Sequence, residues 1–211
     1  MNSSQNPTGA SQADDSDRKP AAYAGTEPLL FARAEELERW LDGHHHVASS
    51  LWVKVAKKGT GVESVTASEI IDTALCYGWI DGQRKSLDAT YYLQRISPRR
   101  PGSAWSLVNV RKVEALSAAG RMREAGDAEV LAAQGDGRWE AAYPSQREAA
   151  VPADLAAALA AEPRAARCFE ALGRTDRYLV ILELLKARTP ELRESRLRRA
   201  ITKLASGPGT P

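Results

Sequence analysis

Periodic apolar positions are missing from the first 24 residues, MNSSQNPTGASQADDSDRKPAAYA, and recur with regular spacing after them. A segment with so little to bury has nothing to offset the entropy lost on ordering, so residues 1–24 are expected to form a disordered tail. Pro28-Leu29-Leu30-Phe31-Ala32 has the length and apolar character of a first strand, and Pro28 places its start at a sheet edge. In AEELERWLDG, Leu37, Trp40 and Leu41 fall on one helical face, Glu35 and Glu36 suit the positive end, and Gly43 is the expected stop. Leu51, Val53 and Val55 then alternate with other residues, which predicts a strand ending at Gly59-Thr60-Gly61.

Thr66-Ala67-Ser68-Glu69 has the spacing of a capping box, in which the Thr hydroxyl and the Glu carboxylate each accept from the other residue's amide. The helix it opens carries Ile70, Ile71, Ala74 and Leu75 on one stripe and stops at Gly78. Trp79-Ile80 re-enters as a strand, Asp81-Gly82 opens a turn or basic loop, and Tyr91–Ile96 returns as a strand rich in β-favouring residues. Ser103 is placed to cap a helix containing Trp105, Val108, Val110, Val113 and Leu116, which Gly120 stops. Gly135-Asp136-Gly137-Arg138-Trp139 and Tyr143-Pro144-Ser145 mark an irregular connection. Beyond it, Pro163 suits a first helical turn, Thr175 a cap, and Thr189-Pro190-Glu191 a cap, first-turn proline and favourable acid. The expected fold is α+β: a small antiparallel sheet with packed helices over residues 25–140, then a helical region over 141–207.

Composition narrows the class. The chain has 211 residues, 43% apolar and 27% charged, enough for one substantial core with a helical appendage. No apolar run approaches the roughly 20 residues that span a bilayer, and no signal-peptide core follows the N-terminus, so the expected location is the cytoplasm. Cys76 and Cys168 lie far apart without a CxxC spacing, which favours reduced, buried thiols. The net charge of +2 conceals segregation. Residues 1–50 are acidic, whereas Arg84, Lys85, Arg95, Arg99, Arg100, Arg111 and Lys112 face a single acid, Asp88, in their stretch. A second basic stretch runs from Lys186 to Lys203, with Arg196, Arg199 and Lys203 on one helical face. Such clustering favours an anionic partner, either a small molecule or a polyanion, with nucleic acid and an anionic membrane surface among the polyanions.

Candidate chemistry concentrates between Cys76 and Arg100. Arg84, Lys85, Arg95, Arg99 and Arg100 are the expected anion ligands, because guanidinium forks match carboxylate and phosphate oxygens. Trp79 and Trp105 are candidate stacking surfaces, although buried tryptophans more often serve a core. Asp81 is the single candidate for general acid or base, and no second acid or base accompanies it in this block, so binding is favoured over catalysis. Asp-Gly is also an ordinary turn dipeptide, and paired arginines are often a solvated face. The glycines of KKGTG lack a GK[ST] and read as a turn. His44, His45 and His46 point in different directions with no other ligands nearby, so they read as a helix end rather than a metal site. No cofactor is implied.

The block VTASEIIDTALCYGWIDGQRKSLDATYYLQRISPRRPGSAWS, preceded by LWVKVAKKGTG and followed by DGRWEAAY, resembles the YdeI/OmpD-associated, or bacteriocin-protection, family over about residues 25–207. Ser97 stands where that family commonly has Thr, and Cys168 where it commonly has an aromatic residue. The resemblance implies a role in bacteriocin or stress tolerance and a protein partner linked to an outer-membrane porin, and it implies no particular reaction. The sequence thus leads to a binding or stress-tolerance protein using a basic surface. Its rivals are an enzyme acting on a phosphorylated or carboxylated small molecule through Asp81, and a protein-binding module without an anion ligand.

Overall fold

A computed structural model describes residues 27–207. The expected tail, residues 1–24, lies outside the described residues. The strands are β1 (Leu29–Leu30), β2 (Leu51–Ala56), β3 (Trp79–Ser86) and β4 (Tyr91–Pro98), in the order β1-β2-β4-β3. β4 pairs antiparallel with both β2 and β3, but β1 runs parallel to β2, so the sheet is mixed rather than wholly antiparallel. The reason is the connection: helix α1 (Ala34–His44) carries the chain back across the sheet before β2 starts.

Helix α2 (Ala67–Cys76) opens with the expected capping box: Thr66 Oγ1 accepts from the Glu69 amide at 3.2 Å and the Glu69 carboxylate accepts from the Thr66 amide at 2.7 Å. Gly78, with φ of +70°, turns the chain into β3. Asp81-Gly82 is not a turn. β3 continues through it to Ser86, with a register shift between Asp81 and Arg84, and the reversal falls at Leu87–Thr90. There Asp88 Oδ1 accepts from the amides of Thr90 and Tyr91, so the turn chemistry belongs to Asp88. Arg84 and Lys85 are therefore strand residues.

Gly43 does not end α1, because a glycine with ordinary helical φ continues a helix. The side chains of His44 and His45 donate from Nδ1 to the carbonyls of Trp40 and Leu41 and satisfy the helix end instead. α3 (Leu107–Ala118) is capped by Ser106, whose hydroxyl accepts from the Asn109 amide, and not by Ser103. α4 (Glu124–Gly135) has no counterpart in the periodicity because its contact face is glycine and alanine. α5 (Ala153–Ala161), α6 (Pro163–Ala171), α7 (Arg174–Leu185) and α8 (Pro190–Ser206) complete the chain. Gly173, not Thr175, occupies the N-cap of α7, while Thr189 caps α8 as expected.

Buried apolar side chains form two clusters. Leu51, Val53, Val55 and Ile96 on one sheet face meet Leu37 and Leu41 of α1, Ile70 and Leu75 of α2, and Val110 and Val113 of α3. Leu155, Phe169, Ile181, Leu184 and Leu204 form the second cluster among α5 to α8. Cys76 is buried and Cys168 half-buried, both as free thiols, and burial pushes the Cys76 thiol up from its ordinary value. Among the described residues no helix is long and apolar enough to cross a membrane.

Candidate functional site

The connection from β4 to α3, Arg99–Ser106, has an unusual amount of buried polarity for a surface loop. The Arg99 amide donates to Gly78 O at 3.0 Å, so the residue is held against the turn that starts β3. Its side chain lies inward: Arg99 is 5% exposed, its guanidinium carbon sits 3.7 Å from the centre of the Trp105 ring, and Nη2 donates to Ala104 O at 3.3 Å. Among the described residues, Arg99 forms no ion pair with a carboxylate and its Nε has no hydrogen-bond partner. Two neighbouring buried groups, Ser103 Oγ and Trp105 Nε1, also lack partners. A buried donor without an acceptor costs on the order of 1–3 kcal/mol, and more when charged. Burial pulls Arg99 down to about 10; Glu129 opposes that shift from a distance and Arg138 adds to it by repulsion.

Arg138 is the second buried guanidinium. Its Nε donates to both oxygens of Asp136 at 2.7 Å, and Nη1 donates to Ser103 O at 3.1 Å. Trp139 packs edge-on against Trp105 with centroids 4.9 Å apart. Tyr143 is tied to the same loop by backbone bonds from its amide to Trp105 O and from the Leu107 amide to its carbonyl. Burial raises its phenol, and the charges of Arg99 and Asp81 both reach it. The helical half supplies the rim: Lys186 Nζ lies 5.1 Å from the centre of the Tyr143 ring, and Arg188 reaches Asp136 at 3.8 Å. Gly102, with φ of +73°, admits that arginine, since a Cβ there would meet Arg188 Nη1 at 2.5 Å.

The other expected ligands are dispersed. Arg84 pairs in register with Gln94 and Lys85 with Leu93, so the two point to opposite faces of the sheet. Arg84 donates to Gln94 Oε1 at 3.1 Å and covers the Tyr92 ring, while Lys85 lies over Trp52. Arg95 stands opposite Trp52 on β2, and Arg100 is exposed. Trp79 is a core residue, 1% exposed, whose indole donates to His45 O. Asp81 is half-buried at the register shift of β3, and burial raises its carboxyl while Arg84, Arg99 and Lys112 pull it back. Of the sequence candidates, the structure thus joins Arg99 to Trp105, with Asp81 in electrostatic reach. Ser103, Arg138, Tyr143, Lys186 and Arg188 were not anticipated as site residues. DGRWEAAY, part of the quoted resemblance, was the available signal for Arg138 and Tyr143.

Two of the three bases on the face expected on α8, Arg196 and Arg199, have partners. Arg193 forms a two-pronged pair with Asp154, Arg196 donates to Glu183 O, Arg198 pairs with Glu194, and Arg199 with Glu183. Among the described residues no group of three His, Cys, Asp or Glu side chains is arranged to hold a metal ion.

Residues 148–207 match the family model described as Bacteriocin-protection, YdeI or OmpD-Associated. The match covers the C-terminal helical part of the chain. The matched segment comprises α5 to α8 and contributes Lys186 and Arg188 to the cluster. Residues 29–129 match a second model, a domain of unknown function (DUF8412), which contains the GWIDG and SPRR segments and with them Arg99 and Trp105. No curated protein and no solved structure matches the chain.

Proposed function

We propose that this is a non-catalytic binding protein of the bacteriocin-protection kind that receives the anionic group of a small molecule at Arg99, Ser103 and Trp105. One observation carries the reading: a guanidinium 5% exposed which, among the described residues, has no carboxylate partner and stands beside two further buried donors that have no acceptor. An oxyanion would supply the missing acceptors, and guanidinium geometry suits a carboxylate or a phosphate equally. The scatter of Arg84, Lys85, Arg95 and Arg100 over different faces favours a small anion over a long polyanion, which needs a continuous row of free charges.

The test is thermal unfolding in inorganic phosphate, malonate or acetate at ionic strength fixed with chloride. A ligand at a hundred times its Kd should stabilise the wild type by about 2.7 kcal/mol. Ser103→Ala should weaken that response and Arg99→Gln should abolish it. No stabilisation by any of these anions refutes the reading.

Asp81 favours a second reading, an enzyme with this carboxyl as acid or base, because burial holds it protonated to higher pH than an ordinary aspartate. Turnover of a bound phosphate or carboxylate ester that is lost in Asp81→Asn, with binding retained, would move the protein to that class.

A further inference from the structure

The cations at the site do not come from one half of the molecule. Arg99 belongs to the loop after β4 and Arg138 to the segment after α4, whereas Lys186 and Arg188 project from the turn between α7 and α8. They form one connected assembly. Arg188 lies on Gly102 and against Asp136, Asp136 holds Arg138, Arg138 bonds the carbonyl of Ser103, and Lys186 covers the ring of Tyr143. Among the described residues, Asp136 is the one carboxylate ion-paired within this group, and it is shared between Arg138 and Arg188. Arg99 has none. Like charges gathered in a partly buried place repel unless an opposite charge joins them.

Resting on the anion-binding reading above, we infer that the site is a clamp for a dianion, completed by the segment that matches the bacteriocin-protection model. Arg99 and Ser103 hold one charged group from the sheet side, while Arg188 and Lys186 hold it from the α7–α8 turn. A monoanion is satisfied by Arg99 alone. A phosphate monoester or a dicarboxylate carries the second charge that makes Arg188 and Lys186 worth recruiting, and its binding fastens the two halves together. The Arg188 side chain is 55% exposed, so it is available to a ligand arriving at the rim.

The experiment is calorimetric titration of the full chain with inorganic phosphate, malonate and acetate at constant ionic strength. The wild type should bind phosphate or malonate at least about tenfold more tightly than acetate. Whichever dianion is stronger separates a phosphoryl ligand from a dicarboxylate. Arg188→Ala should weaken the dianion by about tenfold while leaving acetate within about twofold, and Arg188→Lys should restore part of the loss. Dianion affinity unchanged in Arg188→Ala, or no preference for dianions over acetate, overturns the clamp but leaves the anion-binding reading intact. A wild type that binds none of the three overturns both.

Discussion

Gly126→Ala and Gly135→Ala are the same change in the same helix, and the structure gives them opposite signs. α4 begins beside the end of α2: the Arg123 amide donates to Cys76 O, and Gly126 faces the same carbonyl. A Cβ on Gly126 would collide with Cys76 O and come within 2.8 Å of both Cys76 C and Met122 Cε. Met122 can move aside, but the carbonyl is backbone at the end of a packed helix. α4 would have to retreat by roughly 1 Å, an overpacking cost of about 1–3 kcal/mol. The helix-propensity gain of Ala over Gly, about 1 kcal/mol, opposes this and is the smaller effect. Gly126→Ala should therefore destabilise, by up to about 2 kcal/mol. A Cβ on Gly135 meets nothing within 4 Å, so Gly135→Ala keeps the propensity gain, reduced by its place at the helix end.

Urea unfolding with equal m-values measures both, as a lower midpoint for Gly126→Ala and an unchanged or higher one for Gly135→Ala. The consequence for the site is direct. Gly78 packs on Ala125 of α4 and its carbonyl holds the Arg99 amide, so a displaced α4 should also weaken the response to phosphate or malonate. A Gly126→Ala protein as stable as the wild type would show that α4 does not pack against α2 in this way.

Thr66→Ala should cost about 1 kcal/mol by removing the acceptor of the Glu69 amide, whereas Arg100→Ala, on an exposed side chain, should stay within about 0.5 kcal/mol; urea midpoints compare them. Tyr77 should give an alkaline signature. Burial, and then its bond to Asp42, push the phenol from 10 up to about 12, so it contributes stability that is complete below pH 10 and lost as pH rises toward 12. Unfolding midpoints of Tyr77→Phe should show a flatter fall across that window, and an unchanged slope would refute the assignment. Asp154 gives the opposite case: its bond with Arg193 holds the carboxyl below the usual range, so its contribution is present above the ordinary carboxylate pKa and lost as pH falls through the lowered value. Asp154→Asn should reduce the acid-side slope, modestly because both partners are a third exposed.

Elements whose signal is local were legible in the chain. Thr66-x-x-Glu69 fixes the start of α2 because both halves of the capping box lie within four residues, and Thr189-Pro190 fixes α8 for the same reason. Elements decided by distant partners were not. β3 runs through Asp81-Gly82 because β4 pairs along it, overriding a dipeptide that by itself favours a turn. α4 presents Gly126 and Ala133 to its neighbours, and small residues chosen for close approach leave no apolar stripe to count. The parallel pairing of β1 depends on where α1 lays the chain down, which two leucines cannot specify.

The site follows the same logic through its charges. Between Arg84 and Lys112 the sequence suggests one basic surface, yet strand alternation sends Arg84 and Lys85 to opposite faces. Lys112 is taken by Asp72 and Ser68, and Arg111 by Glu148. A net charge along the chain therefore overstates the charge available to a partner, because it does not register which bases already hold an acid. Arg99 is drawn inward by Trp105 and by its amide bond to Gly78 O, with no ion-paired carboxylate among the described residues. Its value as a candidate comes from that lack of a partner rather than from its membership of a basic run. A guanidinium kept in a buried loop at energetic cost, beside two further unpaired donors, is the arrangement in which an arriving oxyanion gains most.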